Sequence, residues 1–194
     1  MRILLYLMFL IPLLALNINQ DSKTTISSDE IELYNQIMEY RKSKGLENIP
    51  LSNSLTIVAQ THCKDLVNNK PDLKNKCNAH SWSNKGEWSS CCYTSDHKEA
   101  SCMWDKPKEL TSYSGSGFEI AVGSSAPAFK DYVMTPDYAI RSWKKSFHHN
   151  NVIINNHIWK ETKWNAIGVG IYKGFATVWF GMEVDLNGEP EREK

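Results

Sequence analysis

Ile31, Tyr34, Ile37, Met38 and Arg41 recur three and four residues apart, the spacing of one face of an α-helix. Ser27 and Glu30 stand at capping-box spacing ahead of that stripe, Asp29 and Glu30 put negative charge in the first turn, and Gly45 ends the run. A second helix begins near residues 52–54, with a stripe of Leu55, Ala59, His62 beside Cys63, and Leu66. That stripe brings His62 to the buried edge, where a lone imidazole reads as a hydrogen-bonded core residue. From residue 68 to 123 the periodicity is lost. This stretch holds four of the cysteines and Trp82, Trp88 and Trp104. So long a run without elements is uncommon in a compact domain, and disulfides are expected to hold it on the surface of the core, with its aromatic residues buried around them. Helical spacing returns after Thr135, a cap followed by Pro136 at the first helical position, and continues through Ala139, Trp143 and Phe147 until His148, His149, Asn150 and Asn151. Residues 164–171 and 175–184 read as strands around Tyr172, Lys173 and Gly174. Gly168 and Gly170 alternate in the first of them, leaving one face bare enough for another backbone to approach. Helices, an irregular middle, a helix and a hairpin make an α+β domain with helices packed on a small antiparallel sheet.

The ends and the charge bound the setting. Residues 3–16 carry no charge and follow Arg2. A membrane span needs about 20 apolar residues, and this run is shorter, with Pro12 inside it. It reads as a secretory signal peptide over about residues 1–17, an uncleaved signal anchor being the rival reading. No second long apolar run follows, and no Asn-x-Ser/Thr site occurs. The chain of 194 residues suits one domain, placed at 28–184, with a Cys/Trp-rich insertion at about 82–107 and a charged tail over 185–194. Residues 188–194 have no apolar anchor and are expected to fray. With 22 Lys+Arg against 22 Asp+Glu, the chain lacks the counterion-release signature of a nucleic-acid binder.

Secretion changes how the cysteines read, because disulfides persist in oxidising compartments. Cys63, Cys77, Cys91, Cys92 and Cys102 form at most two internal bridges, leaving one thiol free or shared between chains. Adjacent cysteines bridge each other poorly. The pairs favoured, which the spacing alone does not fix, are one of Cys91 and Cys92 with Cys102, and Cys63 with Cys77. A zinc cluster on these sulfurs and His97 is the weaker reading, since no Cys-x-x-Cys spacing is present.

Three places could carry chemistry. His80 stands among small polar residues between Cys77 and Trp82, Glu119 lies among apolar neighbours after Gly117, and His148 and His149 follow Trp143 and Ser146. Two imidazoles, a carboxylate and a water are the ligand set of an open zinc site.

In these segments the chain resembles the CAP superfamily of cysteine-rich secretory, antigen-five and pathogenesis-related-one proteins, whose SCP domain opens on two helices like those at 34–46 and 50–60. His80 and Ser81 match the family's His-Ser element, and Trp143, Ser146 and His149 match its Trp-x-x-Ser-x-x-His element. Ile167, Gly168, Val169 and Gly170, with Val178, Trp179, Phe180 and Gly181, are similar to its last hairpin. The resemblance implies an α-β-α sandwich with helices on both sides of the sheet, and a cleft faced by two His and two Glu, the His pair able to hold zinc. Carried over, His80 and His149 are the metal ligands, His148 being the fallback for the second, and Glu119 a weaker ligand. Ser146 stands where the family has its second Glu. Phe118 stands at the family's first Glu position and Glu119 one residue later, so Glu119 is expected to reach the cleft only if the strand is locally shifted.

Three functions follow. The first is a secreted, non-enzymatic module offering a His-lined cleft to a lipid, a sterol or an extracellular protein. The second is a zinc-dependent hydrolase or protease in which Glu119 is the general base. The third is an adhesive protein joined as a disulfide-linked dimer through its odd cysteine.

Overall fold

The computed structural model describes residues 21–74 and 76–194, so the signal peptide expected over residues 1–17 lies outside the described residues. The chain runs β1 (Thr25–Ile26), α1 (Ser28–Ser43), α2 (Asn53–Asn69), the short α3 (Ser101–Trp104) and α4 (Lys106–Leu110), β2 (Gly117–Val122), α5 (Pro136–Lys145), α6 (Phe147–Ile153), β3 (Ala166–Tyr172), β4 (Phe175–Gly181) and β5 (Glu191–Arg192). β2, β4 and β3 form one antiparallel sheet in that order, with β4 in the middle.

Alternation along these strands builds a three-layer sandwich. Ile167, Val169, Val178, Phe180 and Ile120 face Leu33 and Ile37 of α1 and Ile140 and Trp143 of α5. The opposite face carries Gly168, Gly170, Thr177 and Trp179 and meets α2. The expected bare face is filled by helix backbone: a Cβ built on Gly168 would lie 2.0 Å from the Leu55 carbonyl carbon, and one on Gly170 would lie 2.4 Å from that of Ala59.

The caps hold as read. Ser27 and Glu30 form a complete capping box, and Thr135 accepts from the Tyr138 N–H. Glu30 does more than cap. Buried to 3% exposure, its carboxylate also accepts from the backbone N–H of Ile171 and from Gln60, tying α1 to β3 and α2.

The structure corrects several expectations. Residues 68–123 are not wholly irregular, since α3, α4 and the sheet strand β2 lie within them. Residues 188–194, expected to fray, are tied to the body, the Glu191 N–H donating to the Thr24 carbonyl and the Glu193 N–H to that of Ile26. Asp185 accepts from Ser52, from Ser54 Oγ and from the Ser54 N–H at the N-terminus of α2. Asn187 is buried against Ser54, Ser112 and Asp21, and β5 pairs in parallel with β1. Polar anchoring replaces the apolar anchor the tail lacks.

The disulfides are Cys77–Cys92 and Cys91–Cys102, so Cys63 is not paired with Cys77. Cys63 points from α2 into the sheet, its thiol 3.3 Å from the carbonyl oxygen of Gly170, and is fully buried. The odd thiol is thus out of reach of a second chain. Nor do the remaining cysteines form a thiolate cluster with His97. Trp82 is buried beside the Cys91–Cys102 bridge as expected, whereas Trp104 is 37% exposed.

Two outcomes follow. Gly168→Ala drives a methyl group into helix backbone, so its cost in chemical denaturation should exceed the roughly 1–3 kcal/mol of ordinary overpacking. A thiol-titrating aromatic disulfide should find no reactive sulfur in the native protein and one equivalent after unfolding, because burial pushes the Cys63 thiol well above its usual range.

Candidate functional site

Glu119 is the centre of the site. It pairs with Trp179 in an unbroken β2–β4 register from Gly117 to Val122, so no bulge is needed to aim it. Its side chain lies on the α2 face of the sheet, while Phe118 turns to the other face, against Trp159 and Trp164. The residue one place beyond the family's first Glu position therefore still reaches the imidazoles.

Both carboxylate oxygens are engaged. Oε1 lies 2.5 Å from Nδ1 of His62, and Oε2 lies 2.7 Å from Nδ1 of His80. His62, at 0% exposure, places its Nε2 3.0 Å from the carbonyl oxygen of Ser81 and stacks on Trp82, with ring centroids 4.1 Å apart. A carbonyl only accepts, so Nε2 of His62 carries a proton, and a further proton lies between its Nδ1 and Glu119. Burial by itself would raise the Glu119 pKa, but the charge and hydrogen bond of His62, with those of His80, outweigh it and bring it down to about 2.

With Nδ1 of His80 committed to a carboxylate, its Nε2 is left as the outward-facing nitrogen. This is the carboxylate–imidazole arrangement that orients metal-binding histidines. The His149 ring lies edge-on to it, centroids 6.2 Å apart. Burial, then the charge of His80, push His149 down to about 4, with Glu119 opposing, which leaves its imidazole neutral. The fallback His148 faces elsewhere, toward His97.

The structure thus brings His80, Glu119 and His149 together, with Glu119 behind His80 as its hydrogen-bond partner. It adds His62, whose hydrogen-bonded core position was legible while its partner was not, because no local pattern joins α2 to β2. Tyr93 lines the mouth beside His80 at 5.1 Å. Ser146 lies between α5 and α6, its N–H donating to Trp143.

Zinc is held by imidazole at about 2.0–2.1 Å, which puts the centroids of two shared rings about 5–6 Å apart. The His80–His149 pair comes near that spacing, and its nitrogen donors suit zinc. Among the described residues no group of three or more His, Cys, Asp or Glu side chains is placed to hold a metal, so such an ion would take its other ligands from solvent. Two surface concavities of about 490 and 440 Å³ lie elsewhere, lined by residues including Glu30 and Gln60 in one case and Arg41 and Asn155 in the other. Neither hollow is lined by a histidine.

No family model and no curated protein matches the chain. Among solved structures, an extracellular protein containing a SCP domain from Bacillus anthracis str. Ames is similar at a TM-score of 0.54 and 16% identity, over 80% of this chain and 40% of that one. A cysteine-rich secretory protein from Staphylococcus aureus subsp. aureus Mu50 matches at a TM-score of 0.48 and 18% identity, over 80% of this chain and 38% of that one. The chain therefore spans under half the length of either protein. The fold is that of the SCP domain, an α-β-α sandwich.

Removing the shared carboxylate leaves two imidazoles facing a buried void. Glu119→Ala should cost about 3–5 kcal/mol in chemical denaturation, the range for breaking a buried charged pair, and clearly more than Ser146→Ala measured alongside.

Proposed function

We propose that the chain is an extracellular binding protein of the CAP type, whose imidazole-lined mouth receives a lipid, a sterol or the surface of another extracellular protein. One observation carries this reading: both oxygens of Glu119 are taken by His62 and His80, so the buried carboxylate serves to position His80. A hydrolase needs that group free to accept a proton from water, and a carboxylate held near a pKa of about 2 is a weak base. Ser146 supplies no second carboxylate. The rim supports an apolar partner, since Phe147 is 62% and Ile158 is 74% exposed, and His157 packs against Phe147. The two disulfides and the expected signal peptide support an extracellular setting.

In this reading His80, through Nε2, and His149 would hold a zinc ion, which supplies fixed positive charge and exchangeable water at the mouth. Glu119 keeps the His80 ring oriented toward it, and Trp82 holds His62 in place behind. Among the described residues no helix is long and apolar enough to cross a membrane.

Protein purified from the medium of a eukaryotic host, extracted with organic solvent and analysed by mass spectrometry, should release a bound lipid or sterol. The same preparation, loaded with zinc, should not turn over a peptide library. Metal-dependent turnover that disappears in a folded Glu119→Gln variant would replace the binding reading with the hydrolase.

A further inference from the structure

The insertion brings an imidazole of its own to this mouth. His97 lies in a turn at φ 57°, between the disulfide anchors Cys92 and Cys102. Its backbone is fixed at both ends, donating to the Thr94 carbonyl at 3.0 Å and accepting from the Ala100 N–H at 3.3 Å. Its Nδ1 lies 2.8 Å from the phenol oxygen of the buried Tyr93. Facing it is His148 in the first turn of α6, ring centroids 6.5 Å apart and planes inclined at 58°. Phe147 backs His148 edge-on at 5.4 Å. Both imidazoles are exposed to solvent.

We infer that His97 and His148 form a second site for a transition-metal ion, separate from the His80–His149 pair, and that cupric ion is the tightest occupant. The ring spacing of 6.5 Å is near the about 6 Å at which two imidazoles sit on opposite sides of one tetragonal ion, and rotation of the exposed His148 ring closes the difference. In the site we propose, Nδ1–H of His97 donates to the Tyr93 oxygen 2.8 Å away, which leaves the lone pair on Nε2 and makes the phenol the outer partner that fixes tautomer and ring direction. Two imidazole nitrogens with water in the remaining positions suit a tetragonal ion, and copper stands highest among the divalent first-row metals on nitrogen donors. Thiolates do not compete, because four cysteines are bridged and Cys63 is buried. Neither His97 nor His148 takes part in the hydrogen bonds around Glu119, so the site does not depend on the cleft being a metal centre.

The test is cupric-ion binding to the dialysed, disulfide-intact protein, by equilibrium dialysis and by electron paramagnetic resonance, which detects coordinating nitrogen. His97→Ala and His148→Ala, both at exposed positions, should each remove one equivalent of copper, while His157→Ala and the His80→Ala/His149→Ala double variant retain it. Tyr93→Phe, with its fold checked by circular dichroism, should weaken that equivalent about 10–100-fold. Copper binding unchanged in His97→Ala and His148→Ala would overturn the proposal. So would copper lost only in the His80→Ala/His149→Ala variant, a result that places a metal in the cleft and none at the insertion.

Discussion

The backbone of α2 lies directly on the backbone of the sheet, and most of the site depends on that contact. Gly168 and Gly170 leave no room for any side chain between strand and helix, and the Thr177 hydroxyl donates to the helix carbonyl of Ala59. A helix this close cannot slide or rotate without collision. Leu55 and Ala59 are thereby fixed over β3 and β4, Cys63 is pressed against the Gly170 carbonyl, and His62, one residue along, projects beside the sheet toward β2. Asp185 then completes the helix start, where unpaired backbone N–H groups favour a negative charge.

Glu119 converts this packing into chemistry. It is a buried carboxylate, costly to desolvate unless each oxygen finds a strong partner. Its two partners come from different layers: His62 from the helix above the sheet, and His80 from the connection that follows that helix. The ionised group therefore registers helix, connection and strand against one another, and it turns the outer nitrogen of His80 to the surface. His149 arrives from the far side of the sandwich through α6, so the mouth forms where the two helical layers meet at the β2 edge.

Much of the fold could be read from short-range pattern. The capping box at Ser27 and Glu30, the stripe through Leu55, Ala59 and Leu66, and the alternating glycines are local signals, each tied to one geometric need. Local signals also placed His62 in the core. They did not reveal that Glu30 bonds to Ile171, that Asp185 caps α2, or that Cys77 bridges Cys92, because those partners are brought together only by the finished topology. The family resemblance supplied the pairing of His80 with His149, which periodicity could not. Glu119 shows the limit of that transfer, since a one-residue offset in the motif left its side chain on the face that matters.

The tie between β1 and β5 has a mechanical meaning. Two parallel strands joined rung by rung, one near the start of the described chain and the other near its end, are loaded in shear when those ends are pulled apart. Their hydrogen bonds must then break together rather than one after another. Lys23, which donates to the carbonyls of Asn187 and Glu189, adds a clasp across the same seam. Tension carried through the flanking segments would thus meet its first resistance at this seam, before it reached the sheet or the imidazoles behind it.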